Sequence, residues 1–366
     1  MIITFFGDFV CQNPGRTQIG NGLKKLIAAS DFNIVNFEAP IHVTGAVPIH
    51  KSGPNINQPA ESAAWLENNK FNVIALANNH LLDFGPEIAK ITKQAFKKAA
   101  TFGIGNIDNA YRSLIIEKNG IKTALISVTH HEFSCVEDYG YGCAWMHSPL
   151  LLQEISSIKP QVDHIVILNH GGLEYFDQPL QPYRELYRYW IDLGADAVVA
   201  SHPHVPQGWE EHNGKPIFYS LGNFCFEKTD GIYTPMWNNS LAVTIDLGNN
   251  IINYRVSGIT YNPSTAIVET DNSEDFANHI AALNATLRTP DSYSAAINEK
   301  MHQLASGYNW MLNAGKYSKI GFTKEYLKAI ARFILRRPAD SVHHLNLYRC
   351  ETHRWAMEYL LSHNML

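Results

Sequence analysis

Asp196-Ala197-Val198-Val199-Ala200-Ser201-His202-Pro203-His204-Val205 is the stretch on which the fold turns. Its first half is short, β-branched and preceded by Gly194, which marks a buried strand, and its second half sets two imidazoles just beyond the strand end. Neutral imidazole is the commonest nitrogen ligand for zinc, iron and manganese, and an extended backbone points residues i and i+2 to one side. Taken alone the pair is a weak signal, so its surroundings decide.

Four other apolar runs end in the same way. Ile2 to Phe6 leads into Gly7-Asp8, Phe32 to Phe37 into Glu38, Val73 to Ala77 into Asn78-Asn79-His80, and Ile165 to Leu168 into Asn169-His170-Gly171-Gly172. Ligands of α/β sheets bind beyond the carboxyl ends of the strands, so these ends can converge on one crevice. The resulting inventory, Asp8, Glu38, Asn79, His80, His170, His202 and His204, is a mixed oxygen and nitrogen set suited to one or two divalent transition-metal ions, Mn, Fe or Zn.

The same motifs, in the same order up to about Phe226, resemble the bacterial capsule-synthesis CapA family, also called PgsA or poly-γ-glutamate synthesis proteins. The matching residues are Gly7-Asp8, Asn36-Phe37-Glu38-Ala39-Pro40, Ala77-Asn78-Asn79-His80 with Asp83 and Gly85, His170-Gly171-Gly172-Leu173-Glu174-Tyr175, Gly194-Ala195-Asp196, His202-Pro203-His204-Val205 and Tyr219-Ser220-Leu221-Gly222-Asn223-Phe224. That family is similar to the calcineurin-like metallophosphoesterases, which implies an α/β sandwich of two β-sheets flanked by helices. The resemblance implies Asp8 as first-strand ligand, Glu38 in place of a bridging aspartate, and Asn79 as the asparagine ligand. It further implies His170 and His202 on one metal, His204 on the other, and His80 as proton donor to a leaving group. Two departures stand out: Val10 occupies the histidine position of the Asp-x-His motif, and the bridging carboxylate is one methylene longer.

Around this set, Asp83 is expected to fix the tautomer of His80, and Glu174 to orient a ligand imidazole or act as a base. Lys51, Arg184 and Asn223 are candidates for contact with an anionic substrate, whereas Asn78 is read as structural. His343-His344 and His353 lack carboxylate company and are read as surface residues.

Alternation of strand and helix through the first two thirds, with helices expected over Ala60 to Asn68, Glu87 to Phe102 and Arg184 to Leu193, favours parallel strands with crossovers. Ile217 to Leu221, Leu241 to Ile245 and Ile251 to Ile259 read as later strands, with Gly248-Asn249-Asn250 as a hairpin connection, and suggest an antiparallel second sheet. The character shifts near Asp271. The expected organisation is a catalytic domain over residues 1–270 and a helical C-terminal extension over 271–366. Within the extension, Lys324 to Arg337 reads as a docked helix with a solvated basic face rather than a membrane-surface helix.

The chain has 366 residues, 45% of them hydrophobic and 17% charged, enough for a large core. A net charge of −5 offers no basic footprint for nucleic acid. Cys11, Cys135, Cys143, Cys225 and Cys350 are dispersed and lack a CxxC pair, so neither a disulfide framework nor a structural zinc cluster is expected, and Cys11 is read as a small buried hydrophobe. Met1 runs straight into the first strand without a leader pattern, and no stretch approaches the ~20 apolar residues of a membrane span; the expected location is the cytoplasm.

The sequence therefore leads to a metal-dependent hydrolase, phosphoesterase-like, serving capsule, exopolysaccharide or poly-γ-glutamate synthesis. Its expected partners are an anionic small-molecule or polymer substrate and other surface-polymer synthesis proteins. Alternatives are a metal enzyme acting on amides or peptides, a non-catalytic subunit of a polymer synthase, and a carbohydrate or peptide binder without metal.

Overall fold

Strands that are buried on both faces need apolar side chains at nearly every position, and the runs identified above supply them. The computed structural model describes residues 1–227, 234–248, 251–312 and 341–366. Ile2–Val10, Phe32–Phe37, Val73–Ala75 and Ala100–Phe102 lie parallel in a nine-stranded sheet, and His164–His170 pairs in parallel with both Ile121–Thr129 and Ala197–Ser201 in a six-stranded one. Ile3, Phe5, Ile34 and Val243 of the first sheet meet Leu125, Val166, Val199 and Phe218 of the second in one apolar cluster between them. The opposite face of the first sheet packs Phe6, Phe9 and Val35 on helix residues such as Leu23, Trp65 and Ala89. The opposite face of the second packs Ile126, Ile167 and Val198 on Leu151, Tyr187 and Trp190. This is the helix-flanked two-sheet sandwich expected from the sequence.

Two expectations are corrected. The later strands do not build an antiparallel second sheet: Asn239–Gly248, Ile251–Asn262 and Ile267–Asp271 extend the first sheet, Asn239–Gly248 pairing antiparallel with Ile2–Val10. The edge of Ile2–Val10 away from Phe32–Phe37 lies within the core and needs a hydrogen-bonded neighbour there, which Asn239–Gly248 supplies. Lys215–Phe218, covering the start of the expected Ile217 to Leu221 strand, joins the second sheet and pairs in parallel with Ala197–Ser201. The helix expected over Glu87 to Phe102 spans Gly85–Ala95, and Ala100–Phe102 is a strand. It stops because the N–H groups of Lys97, Lys98 and Ala99 turn to Glu67 Oε1, at 2.7, 2.6 and 2.9 Å.

Helices Glu274–Arg288, Pro290–Leu312, Ser341–Arg349 and Glu351–Ser362 follow the sheets. Tyr293, Met301, Ala356 and Leu360 from two of them share one apolar cluster with the second sheet and the Gln181–Leu193 helix. Residues 249 and 250 of the expected hairpin, and the basic segment Lys324 to Arg337, lie outside the described residues. Among the described residues no helix is long and apolar enough to cross a membrane. All five cysteines are buried and free, Cys11 with no exposed surface.

Candidate metal centre

The two sheets present their carboxyl edges to one buried crevice. Asp8 reaches it through an irregularity in the first strand, where the register with Phe32–Phe37 shifts between Phe6 and Asp8. Gly7 makes this possible. A Cβ there would lie 1.8 Å from Gly222 O, while the next amide, Asp8 N, donates to that same carbonyl at 2.9 Å. Glu38 follows the end of Phe32–Phe37, Asn79 and His80 follow Val73–Ala75, His170 ends its strand, and His202 follows Ser201.

His202 and His204 are not held on extended backbone, as the i, i+2 argument supposed. The strand stops at Ser201, and both residues have positive φ, 102° and 59°. Such conformations are costly for a side chain with a Cβ, and they persist where surrounding contacts fix them. Here the His202 N–H donates to Asp8 Oδ2 at 3.0 Å, tying the loop of one sheet to the first strand of the other.

Asp8, Glu38, Asn79, His170, His202 and His204 come together as the sequence expected. Asp8 Oδ1 accepts from Asn36 Nδ2 at 2.7 Å and lies 3.5 Å from His170 Nδ1, and its Oδ2 lies 3.7 Å from His204 Nδ1. His170 Nε2 sits 3.0 Å from Asn79 Oδ1, 3.1 Å from His202 Nδ1 and 3.6 Å from Glu38 Oε1. His204 Nε2 is 3.7 Å from the same Glu38 oxygen. Among these six residues, ligating atoms close enough to share an ion fall into two sets joined at Glu38, Asp8 with Glu38 and His170, and Glu38 with His202 and His204; a further set beside them is His130, Glu132 and Cys350. The family pattern groups His170 with His202, and the two rings do adjoin through His170 Nε2, while His170 Nδ1 faces Asp8.

Glu38 is the sharpest test of fit. The residue has no exposed surface, and neither carboxylate oxygen finds a hydrogen-bond donor. Burial, then the nearby Asp8, Glu174 and Asp83, push its carboxyl well above the ordinary glutamate range. Buried acceptors without donors are rare in proteins, and a divalent cation held by Glu38 and the imidazoles would satisfy this carboxylate. The imidazoles suit it too. Burial lowers His170, and lowers His202 well below the usual histidine value, so both are held neutral, the form that ligates. At Asp8 burial opposes ionisation, but His170, His204 and Asn36 outweigh it and keep the carboxylate charged. The donor set therefore fits a divalent metal.

The flanking residues divide. His80 Nδ1 meets Asp83 Oδ2 at 2.7 Å, and Asp83 is ion-paired to Lys51, whose Nζ lies 3.1 Å from His80 Nδ1. Asp83 thus orients His80, as expected, and Lys51 is bound up in this buried triad rather than presented to a substrate. Asn223 is likewise committed: its Nδ2 donates to Trp237 O at 3.0 Å, which turns its Oδ1 toward His204 Nδ1 at 2.9 Å and makes that nitrogen the protonated one. Arg184 lies away from the crevice, donating to Glu210 at 2.8 Å. Glu174 is pushed upward by burial and by Glu132, so it retains its proton to higher pH than an exposed glutamate and suits an acid better than a base. Asn78 donates to Phe37 O at 2.9 Å and receives His80 N, a structural role.

Three residues were not foreseen. His130 is buried with its ring centroid 4.4 Å from that of His202, Glu132 Oε2 accepts from Asn79 Nδ2 at 2.9 Å, and Asn36 bridges Asp8 and His170. Thr129-His130-His131-Glu132 ends the apolar run Ala124 to Val128, so the strand-end pattern applied here as well. His353 was read as a surface residue, yet it is partly buried: Tyr308 OH lies 2.7 Å from its Nδ1, and Glu132, His130 and Glu174 act on its charge. Next to it, Thr352 Oγ1 donates to Gly172 O at 3.0 Å and Glu351 accepts from His131 N at 2.9 Å, so the Glu351–Ser362 helix rests on loops bordering the crevice.

Residues 3–228 match the family model described as bacterial capsule synthesis protein PGA_cap, a stretch that contains every residue of the acid–histidine cluster. The chain belongs to this bacterial capsule synthesis protein family. Two curated relatives carry the same family character: the "PGA biosynthesis protein CapA" of Bacillus subtilis (strain 168), 30% identical over 231 residues, and the "Capsule biosynthesis protein CapA" of Bacillus anthracis, 31% identical over 210 residues. These matches cover 60% and 54% of this chain, and 59% and 51% of the relatives, so the chain spans little more than half of either. Among solved structures, the NAD nucleotidase of Haemophilus influenzae aligns with 81% of this chain and 60% of its own, at 14% identity and a TM-score of 0.40. The helices from Glu274 onward lie beyond the matched stretch.

Proposed function

We propose that the crevice is a divalent-metal hydrolytic centre that cleaves an anionic phosphoester during the synthesis of a capsule or related surface polymer. The observation that carries this is Glu38, a fully buried carboxylate without a hydrogen-bond donor, flanked by the nitrogens of His170 and His204. The names of the curated relatives, which refer to capsule and PGA biosynthesis, support the pathway. Asp8, Glu38, Asn79, His170, His202 and His204 are the residues that would hold the metal, with manganese, iron or zinc all compatible with the set. When bound, such an ion supplies polarisation of an anionic group and lowers the pKa of water to roughly 7.

The chain's own residues do the rest. His80, steadied at Nδ1 by Asp83, has Nε2 available to hold the proton that a departing oxygen needs, a contribution typically worth about 10²–10⁴-fold. Lys51 is ion-paired to Asp83 and holds it in place, so the ring is oriented before substrate arrives. Glu174, near enough to Glu38 to act on its charge, offers a second proton-bearing group. Other surface-polymer synthesis proteins are the working partners on this reading.

Elemental analysis of protein purified with and without added Mn²⁺, followed by a screen of phosphomonoesters, phosphodiesters and γ-glutamyl peptides, tests the proposal. Metal at the crevice and turnover of a phosphoester are expected, both lost in His202→Ala/His204→Ala. Cleavage of γ-glutamyl peptides alone would move the reaction to amides. A metal-loaded protein inert toward every class would leave the accessory-subunit reading, and absence of metal under all loading conditions would remove the centre altogether.

A further inference from the structure

A cavity of about 940 Å³ opens away from the acid–histidine crevice, and none of the six candidate metal ligands lines it. It is framed by the Gln181–Leu193 helix, the edge strand Trp209–His212, and residues 287–359 of the C-terminal helices. Its volume lies within the ~300–1,000 Å³ typical of ligand sites. Most of its frame falls beyond the residues that match the family, so the family's own site does not account for it.

The walls are of one chemical kind. Trp209, Tyr254, Trp355 and Tyr359 are each partly buried where they line the cavity, and flat aromatic rings of this kind take the C–H face of a sugar ring. The charge is positive but small. Arg184 Nη2, Arg188 Nε and Arg188 Nη2 converge on Glu210 at 2.8, 2.6 and 2.8 Å, and Tyr219 OH adds a fourth donor at 2.6 Å. Two guanidiniums thus share one saturated carboxylate. Glu211 is engaged by Tyr254 OH at 2.8 Å. Arg288 lies exposed at the rim, and among the described residues no ion pair to it is found.

One further detail points to a ligand oxygen. Arg184 Nε is buried and has no acceptor, while Nη2 of the same guanidinium donates to Glu210 and the group lies 4.5 Å over the Tyr293 ring. A buried N–H without an acceptor is uncommon in a folded chain. Three arginines against two glutamates leave a single net positive charge, which matches a carboxylate and falls short of a nucleotide's phosphates.

We propose that this cavity is a separate binding site for an acidic oligosaccharide, with sugar rings on the aromatic walls and a uronate carboxylate between Arg184 and Arg288. The loop from Gly171 to Leu180 relates it to the crevice. Gln181 lines the cavity, Tyr293 OH donates to Pro179 O at 2.7 Å, and the Tyr175 ring stacks 6.1 Å from that of His204. The cavity wall residue Tyr293 is therefore hydrogen-bonded to the same short loop that borders the candidate metal centre.

The test is calorimetric titration of the full chain with three probes of equal length: an oligo-glucuronate, a neutral glucose oligomer and an oligo-γ-glutamate. The oligo-glucuronate is expected to bind about tenfold or more tightly than either of the others. Arg288→Glu, at an exposed position, should weaken it about tenfold, and Trp355→Ala should abolish detectable binding, while metal uptake at the crevice is unchanged in both. Thermal melting of each variant separates loss of binding from loss of fold. Equal or tighter binding of oligo-γ-glutamate would show a generic polyanion site and overturn the proposal, as would silence toward all three probes or binding indifferent to Arg288→Glu.

Discussion

Asn79 shows how finely the centre depends on a single amide. Its Nδ2 donates to Glu132, which leaves Oδ1 facing His170, the orientation a ligand requires. At Glu132 burial opposes ionisation, but His130, His353, Asn79 and Lys51 outweigh it and hold the carboxyl at about 2, so it acts only as an acceptor near neutral pH. In Glu132→Gln the new amide can offer its own N–H groups, and Asn79 is free to turn over. Metal affinity, read by calorimetric titration, should fall about 10–100-fold, the usual effect of removing a residue that orients a ligand. Unchanged affinity would mean that Asn79 is held by other contacts or does not ligate. The ligand candidates themselves were legible because each ends an apolar run, but Asn36, Asn223 and Glu132 were not assigned their roles. What identifies them is which neighbour their amides and carboxylates face, and that is set by strand register and loop path, which composition and periodicity do not encode.

At the scale of elements, the Gln181–Leu193 helix is fastened to the Trp209–His212 edge strand through Glu210. Burial raises that carboxyl, but hydrogen bonds from Arg188, Tyr219 and Arg184 prevail and bring it to about 2. Because the folded value lies below the unfolded one of about 4.3, the pair stabilises fully above that value and its contribution is lost as pH falls toward 2. Glu210→Gln should therefore lose about 2 kcal/mol at pH 7 in urea denaturation, and the difference from the unmodified chain should shrink steadily between about pH 4.3 and 2. A difference constant over that range would show that packing, not charge, carries the effect. Helix existence was readable from periodicity, whereas the end of the Gly85–Ala95 helix was not, since Glu67, a residue of another helix, takes the amides that would have continued it. The sheet assignment of the last strands failed for a related reason: alternation identifies a strand but not the edge it joins.

For the molecule as a whole, the deepest question is whether two metal positions can be equal. The set Asp8, Glu38 and His170 gains Asn79 Oδ1, 3.0 Å from His170 Nε2, whereas Glu38, His202 and His204 have from the first strand only Asp8, which His170 shares, because Val10 stands where the Asp-x-His motif carries a histidine. Nor is space reserved for one. Val10 has 1% of its surface exposed and packs with Ala39, Phe226 and Trp237, and the Phe226 and Trp237 rings lie 5.0 and 5.2 Å from that of His204. Aromatic packing thus fills the side of the crevice that a ligand would otherwise occupy. Since affinity at similar geometry follows the number of ligands, apo protein titrated with Mn²⁺ should show one tight and one markedly weaker position. Val10→His should not repair the weaker one: an imidazole in that wall overpacks it, lowering stability by about 1–3 kcal/mol without tightening the second event. Two equally tight events in the unmodified chain would show that another group supplies the missing ligand, and a second event strengthened by Val10→His would show that the wall yields.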